Sequence, residues 1–230
     1  MSRKGQLICF IGIDGAGKTT LAKRMDSAFK DQGLNSQYVY GRVTPFISRL
    51  LMGLGRVLLL RRKKGDLFSD YNAYTTQKQK ILKNGYISRI YTWSLLTDQV
   101  IQANMRLRFK LLSGKTLFCD RYVFDTVITD IVPNLQISPE DAMSLISRLL
   151  NIMPEPDLIF LIDLPSEIAY SRKNDVPHIS YLSERRELYC LLREKFDTKI
   201  IVLDGSNTPD VIFEQSSAAI RTILGEESNV

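Results

Sequence analysis

Cysteine is scarce in this chain, and the three residues present, Cys9, Cys119 and Cys190, show neither an even count nor a CxxC spacing. That excludes a disulfide framework and a cysteine-built zinc site, and leaves Cys9 and Cys119, which fall inside apolar runs, as small core residues. Histidine is scarcer still. His178 stands alone in a polar stretch and reads as a solvated loop residue rather than a catalytic base. Long apolar runs are missing: the most membrane-like stretch, Leu50 to Leu60, contains Arg56 and falls far short of the roughly 20 residues a span requires. Arg61, Arg62, Lys63 and Lys64 follow it directly, so a buried helix with a solvated basic end and a segment lying on an anionic membrane both stay open. No signal-peptide pattern precedes the first apolar run, and a reducing cytoplasm is the expected compartment. Low-complexity tracts, internal repeats and linkers are absent too, so the expectation is a single domain over residues 1–230. Charge is only mildly unbalanced, at +6 from 31 basic and 25 acidic residues. That suits a polyanionic ligand, whether nucleotide, nucleic acid or membrane surface, without choosing among them.

The informative stretch is Gly12-Ile13-Asp14-Gly15-Ala16-Gly17-Lys18-Thr19, an instance of GxxxxGK[ST], the phosphate-binding P-loop. Leu7 to Ile11 before it reads as a fully buried strand. After Thr19, an amphipathic helix with Leu21, Ala22, Met25, Ala28 and Phe29 on one face stops at Gly33. Glycines let the backbone wrap so that successive N–H groups point at phosphate oxygens, and the helix beginning near Lys18 adds its positive end. On this reading Gly12 to Thr20 bind the phosphates of a nucleotide, Lys18 reaches the β- and γ-phosphates, and the Thr19 hydroxyl enters the coordination shell of Mg²⁺.

Further along, Gln37 to Tyr40 is expected as a second strand, followed by a turn at Gly41-Arg42-Val43-Thr44-Pro45. Residues 46–112 read as almost wholly helical, with a break at Gly65-Asp66, a helix from Asp70 to Lys83, and a long helix that puts Ile87, Ile90, Tyr91, Ser94, Ile101 and Met105 on one stripe. Asp98 falls on that stripe. An inward carboxylate needs a partner, either an arginine such as Arg42 or Arg121 or a ligand in an acceptor pocket. Thr116 to Cys119 forms a third strand ending in Asp120-Arg121-Tyr122, a charged pair at the edge where parallel sheets bind ligands. Asp120 could order Mg²⁺ through water or accept a hydrogen bond from the acceptor; Arg121 could hold a phosphate. Ser138-Pro139-Glu140-Asp141 is a helix start, and that helix runs to about Leu150. Leu158 to Ile162 is the fourth strand, followed by a short helix from Ser166 to Arg172 and another from Ser180 to Phe196. Ile200 to Leu203 is the fifth. Thr208-Pro209-Asp210 caps a last helix with Ile212, Ala219, Ile220 and Ile223 inward. Five apolar strands alternating with helices imply an α/β fold with a parallel sheet covered on both faces.

These residues resemble the thymidylate-kinase-like branch of the P-loop nucleoside monophosphate kinases, from Phe10 to about Leu224. The carriers are Phe10 through Thr20, Asp120-Arg121-Tyr122, Ala169-Tyr170-Ser171-Arg172 and the helix around Tyr189. The resemblance implies a three-layer P-loop fold with strand order 2-3-1-4-5, ATP and Mg²⁺ as phosphoryl donor, a helical acceptor-side insertion at about 46–112 and a lid at about 166–186. It implies roles as well: Asp14 near the acceptor sugar and metal; Arg42, Asp98, Arg121 and Tyr122 around the acceptor; Lys18, Asp120 and Arg172 in catalysis, with Arg172, alongside Lys173, as the lid arginine. The acceptor it implies first is dTMP, and a homodimer is among the states it allows. Four positions depart from the family pattern. Ile11 replaces a glutamate, Val43-Thr44-Pro45 a proline-glycine run, and Gln99 an arginine that grips the acceptor phosphate; Asp125 or its neighbour lies where a serine is usual. Those departures keep open a kinase of another small acceptor. A nucleotide-dependent switch or scaffold is a rival from a different class, although no NKxD guanine motif is present. Nucleic-acid binding rests on charge alone, without a helix-turn-helix or aromatic stacking motif.

Overall fold

A computed structural model of the chain describes residues 5–44, 46, 85–173, 178–196 and 199–224. Strand β1 (Leu7–Ile11) is five apolar residues, all buried, as an unbroken apolar run demands of a strand covered on both faces. It pairs in parallel with β3 (Thr116–Asp120) on one side and β4 (Leu158–Asp163) on the other. Beyond them lie β2 (Ser36–Tyr40) against β3 and β5 (Ile200–Asp204) against β4, giving the all-parallel order 2-3-1-4-5. Phe10 and Phe160, register partners on β1 and β4, stack with ring centroids 5.4 Å apart.

Three strands run one residue further than the apolar pattern indicates and finish on Asp120, Asp163 and Asp204. The backbone ladder accounts for this: Gly41 N–H donates to Asp120 O at 2.9 Å, and Arg121 N–H to Phe10 O at 3.0 Å. Pairing thus outlasts the apolar side chains and carries charge to the ligand-binding edge.

Helix α1 (Lys18–Asp31) buries Leu21, Ala22, Met25 and Phe29, with Ala28 half-buried. It ends at Gly33, whose positive φ lets its N–H reach Lys30 O while Leu34 N–H reaches Phe29 O, both at 2.9 Å. α2 (Gly85–Ala103) continues through a π-helical turn, Asn104–Arg108, into α3 (Phe109–Leu112). Its buried side chains are Ser94, Leu95, Asp98, Gln99 and Ala103, so the expected stripe needs correction. Ile90, Ile101 and Met105 are exposed, alongside Trp93 and Phe109. The packed face lies roughly a quarter turn away because polar groups fix it: Gln99 Nε2 donates to Gly41 O, and Gln102 donates to Thr44 O. Apolar and polar residues are mixed on every side of this helix, so its sequence gives only a weak periodic signal to choose between these faces.

The run from Val123 to Leu135 is helical, as α4 (Val123–Asp125), a π-helical turn (Thr126–Ile131) and α5 (Val132–Leu135). α6 (Pro139–Leu150) starts as expected, Ser138 Oγ accepting from Asp141 N–H at 3.1 Å. α7 (Ser166–Ser171), α8 (Ile179–Lys195) and α9 (Pro209–Leu224) follow. α1 and α9 pack on each other and on the sheet; α8 packs on β4, and with α6 and the Thr126–Ile131 turn makes a second group of helices. Ile212 and Ile220 are buried on α9, while the Ile223 side chain lies outside the described residues. So do the Leu50–Leu60 stretch, the Gly65-Asp66 break, the 70–83 helix and residues 174–177 of the lid. Among the described residues no helix is long and apolar enough to cross a membrane.

Candidate active site

Residues 12–17 turn from the end of β1 into the start of α1. Gly12 takes φ +138°, and a Cβ there would lie 2.5 Å from Ile162 O; Gly15 takes φ +90°, with Ala169 O 2.9 Å from its missing Cβ. The first glycine lets the loop cross the end of β4, and the second lets it touch α7. Gly17, also at positive φ, caps α1, so the N-terminal amides of that helix face the loop's interior. Lys18 is buried, its Nζ donating to Gly12 O at 2.8 Å and Ile13 O at 2.7 Å. Burial lowers its pKa, with Asp125 pulling the other way.

Asp120 is wholly buried and brings β2, β3 and the loop together. Its Oδ2 accepts from Thr19 Oγ1 at 2.6 Å and from the Tyr38 hydroxyl at 3.1 Å, while Oδ1 has no partner. Burial, and then Asp120, raise the Tyr38 hydroxyl well above its ordinary range, so it stays a donor. An orphaned buried carboxylate oxygen beside a P-loop threonine is the donor set that suits a hydrated Mg²⁺ completed by phosphate oxygens. No group of three or more His, Cys, Asp or Glu among the described residues could hold a metal by protein ligands alone.

The arginines expected near the acceptor are each engaged by carboxylates. Arg121 sits at φ +67°, a backbone conformation costly for a residue with a side chain. Its Nη2 donates to Asp14 Oδ1 at 2.5 Å and its Nη1 to Asp125 Oδ1 at 3.3 Å. Burial opposes its charge, but Asp125 and Asp14 outweigh that and hold its pKa above the ordinary value. For Asp14 likewise, burial raises the carboxyl and Arg121 and Lys18 bring it below the usual range. Arg42 forks onto Asp130, at 2.7 Å and 3.3 Å. The arginine partners expected for Asp98 are thus committed elsewhere; Asp98, itself buried, accepts from Phe46 N–H at 3.0 Å. Gln99, 1% exposed, bridges Gly41 O and Thr126 Oγ1, the latter at 2.9 Å. A shallow, solvent-open depression lies beside it, lined by Val39, Gly41, Arg42, Gln99, Gln102 and Arg106 among others.

Tyr122 needs correction as an acceptor-binding residue. It is wholly buried, and its hydroxyl donates to Pro154 O at 2.8 Å, because the turn after Arg121 points the next side chain into the core. Arg172 is exposed at the C-terminal end of α7, three residues beyond the Ala169 that touches Gly15. His178 caps α8, Nδ1 accepting from Ser180 N–H. Sequence reasoning missed three further features. Asp130 anchors Arg42; Asp163 receives a two-pronged contact from Arg186 at 2.6 Å and 2.8 Å; and the buried Tyr189 presents its hydroxyl to Asp125. The helical spacing of Val123, Val127 and Ile131 could have placed Asp130 and Asp125 on one element; nothing local signals the Asp163 pair.

A parallel sheet of this order, a glycine loop at the end of its central strand and a threonine-aspartate pair beside the lysine define a P-loop phosphate-binding protein. No protein-family model matches the sequence, but curated relatives do so over nearly its full length. A probable thymidylate kinase of Thermococcus kodakarensis is 26% identical over 94% of this chain and 97% of its own. One from Archaeoglobus fulgidus is 26% identical over 97% of this chain and 98% of its own, and a thymidylate kinase of Geobacillus sp. 24% identical over 94% and 96%. Along nearly its whole length the chain is thus similar to thymidylate kinases.

Proposed function

We propose that the chain transfers the γ-phosphoryl group of ATP to dTMP, with Mg²⁺ required. The observation that carries this is the junction of Lys18, Thr19 and Asp120, a buried lysine and an orphaned carboxylate oxygen meeting at the mouth of a phosphate-sized loop, in a chain similar to thymidylate kinases along nearly its whole length. Loop amides and Lys18 bind and orient the donor phosphates. Thr19 and Asp120 are the residues that would hold Mg²⁺, whose charge neutralises phosphate oxygens when bound. Arg172 brings positive charge from the end of α7 to a loop that has no arginine of its own. Positioning and charge suffice here, since phosphoryl transfer needs no protein nucleophile.

Gln99 supports a second reading, that the acceptor is another small molecule. Loss of one charge-assisted contact to the acceptor phosphate weakens binding by about 1.5 to 3 kcal/mol, or roughly ten- to a hundredfold. Initial rates of ADP formation, with and without dTMP and with Lys18→Ala as the blank, separate the readings. Stimulation by dTMP that vanishes in the blank supports dTMP. Stimulation only by other nucleotides, nucleosides or phosphorylated sugars selects the second reading, and none by any of them removes both.

A further inference from the structure

Asp125 occupies a position that the proposed acceptor chemistry does not use. It is the last residue of α4, one turn beyond Arg121, and is wholly buried. Its Oδ1 takes Arg121 Nη1, whereas Oδ2 and the neighbouring Tyr189 hydroxyl complete no hydrogen bond of ordinary geometry. Lys18, Arg42 and Arg121 gather at this edge, and the charges of Asp125 and Asp14 act on all three; of the two, Asp125 is the wholly buried one. Arg121 is held on its other side by Asp14 and Arg42 is forked onto Asp130, while Gln99 is neutral and bonded to Gly41 O and Thr126. An incoming dianion must therefore compete with carboxylates already in place, Asp125 and Asp14 on Arg121 and Asp130 on Arg42.

Resting on the reading of this edge as an acceptor site, we propose that Asp125 is a specificity-determining residue that weakens the pocket's grip on the acceptor's phosphate, leaving the rest of the acceptor to carry most of its affinity. Burial acts most strongly on the Asp125 carboxyl and raises it, with Lys18 and Arg121 pulling the other way; its Oδ1 lies on the Arg121 guanidinium, and a carboxylate there competes directly with phosphate for the same N–H groups.

The test uses Asp125→Asn, close to isosteric, and Asp125→Ser, which shortens the side chain. For each, KM for dTMP and for ATP is measured, together with binding of inorganic phosphate to protein saturated with Mg·ADP. The expected result is that KM for dTMP and the dissociation constant for phosphate both fall about tenfold, while KM for ATP stays within about twofold. Unchanged or weakened phosphate binding in both variants overturns the proposal, as does equal tightening toward ATP and dTMP. Should one variant not fold, the other decides; should neither, the unsubstituted protein does. There dTMP is expected to bind less than about tenfold more tightly than thymidine, and a hundredfold gain from the phosphate overturns the proposal. If dTMP is not turned over at all, the acceptor reading fails on its own, and the phosphate-binding arm still decides the role of Asp125.

Discussion

Replacing the three loop glycines one at a time by alanine separates backbone strain from steric conflict. Gly12, Gly15 and Gly17 all sit at positive φ, but an added Cβ meets Ile162 O at 2.5 Å at the first, Ala169 O at 2.9 Å at the second, and nothing within 4 Å at the third. Strain alone, about 1 to 2 kcal/mol for an L-residue in this region, is the whole cost at Gly17. At Gly12 the obstructing atom is the backbone oxygen of a central strand and cannot swing away, so a further ~1 to 3 kcal/mol is added. For a chain of this size each kcal/mol lowers the melting temperature by roughly 2 to 4 °C. Thermal unfolding followed by circular dichroism should then show a fall of about 5 °C for Gly17→Ala, about 10 °C for Gly12→Ala, and an intermediate value for Gly15→Ala. Equal losses at Gly12 and Gly17 would refute the reasoning, because the contact with the end of β4 would then cost nothing.

Other consequences are equally direct. Burial raises the Asp26 carboxyl, yet Lys30, Ser36 and the Tyr38 backbone hold it below its ordinary 3.8. A depressed folded-state pKa contributes stability that is complete above that ordinary value and lost as pH falls through the folded one, so Asp26→Asn should flatten the loss of stability below about pH 4, measured by denaturant unfolding across the acid range; an unchanged acid limb would count against it. Tyr122→Phe removes a buried hydrogen bond to Pro154 O and should cost about 1 kcal/mol while leaving KM for dTMP unchanged; a selective rise in that KM would return Tyr122 to the acceptor site. Arg172→Ala should lower kcat by on the order of a hundredfold or more with little change in KM for ATP, and undiminished kcat in initial-rate assays would remove Arg172 from catalysis.

The sheet was legible because Leu7–Ile11, Leu158–Ile162 and Ile200–Leu203 are short apolar runs bounded by turn residues, and the loop because its glycines occur at a spacing few other structures require. What escaped the sequence depended on contacts across the chain. Whether Ile101 or Leu95 faced inward was settled by Gln99 and Gln102 bonding to the segment after β2, which no helical period encodes. Asp130 and Arg42 are 88 residues apart, so their pairing left no local trace, and the same holds for Asp163 with Arg186. The helix through Val123 to Leu135 left a signal in the spacing of Val123, Val127 and Ile131, which Pro133 and a π-helical turn made short and easy to pass over. Tyr122 misled because its neighbours Asp120 and Arg121 do belong to the site; the chain turns between them and Tyr122.

The measurement that bears most directly on the central claim is product stoichiometry. Protein incubated with Mg·ATP and dTMP, with nucleotides resolved by ³¹P NMR, should yield ADP and dTDP in equal amounts, with neither formed by Lys18→Ala. ADP accumulating without dTDP would contradict the account, since the loop would then be hydrolysing nucleotide rather than passing its phosphoryl group to the acceptor.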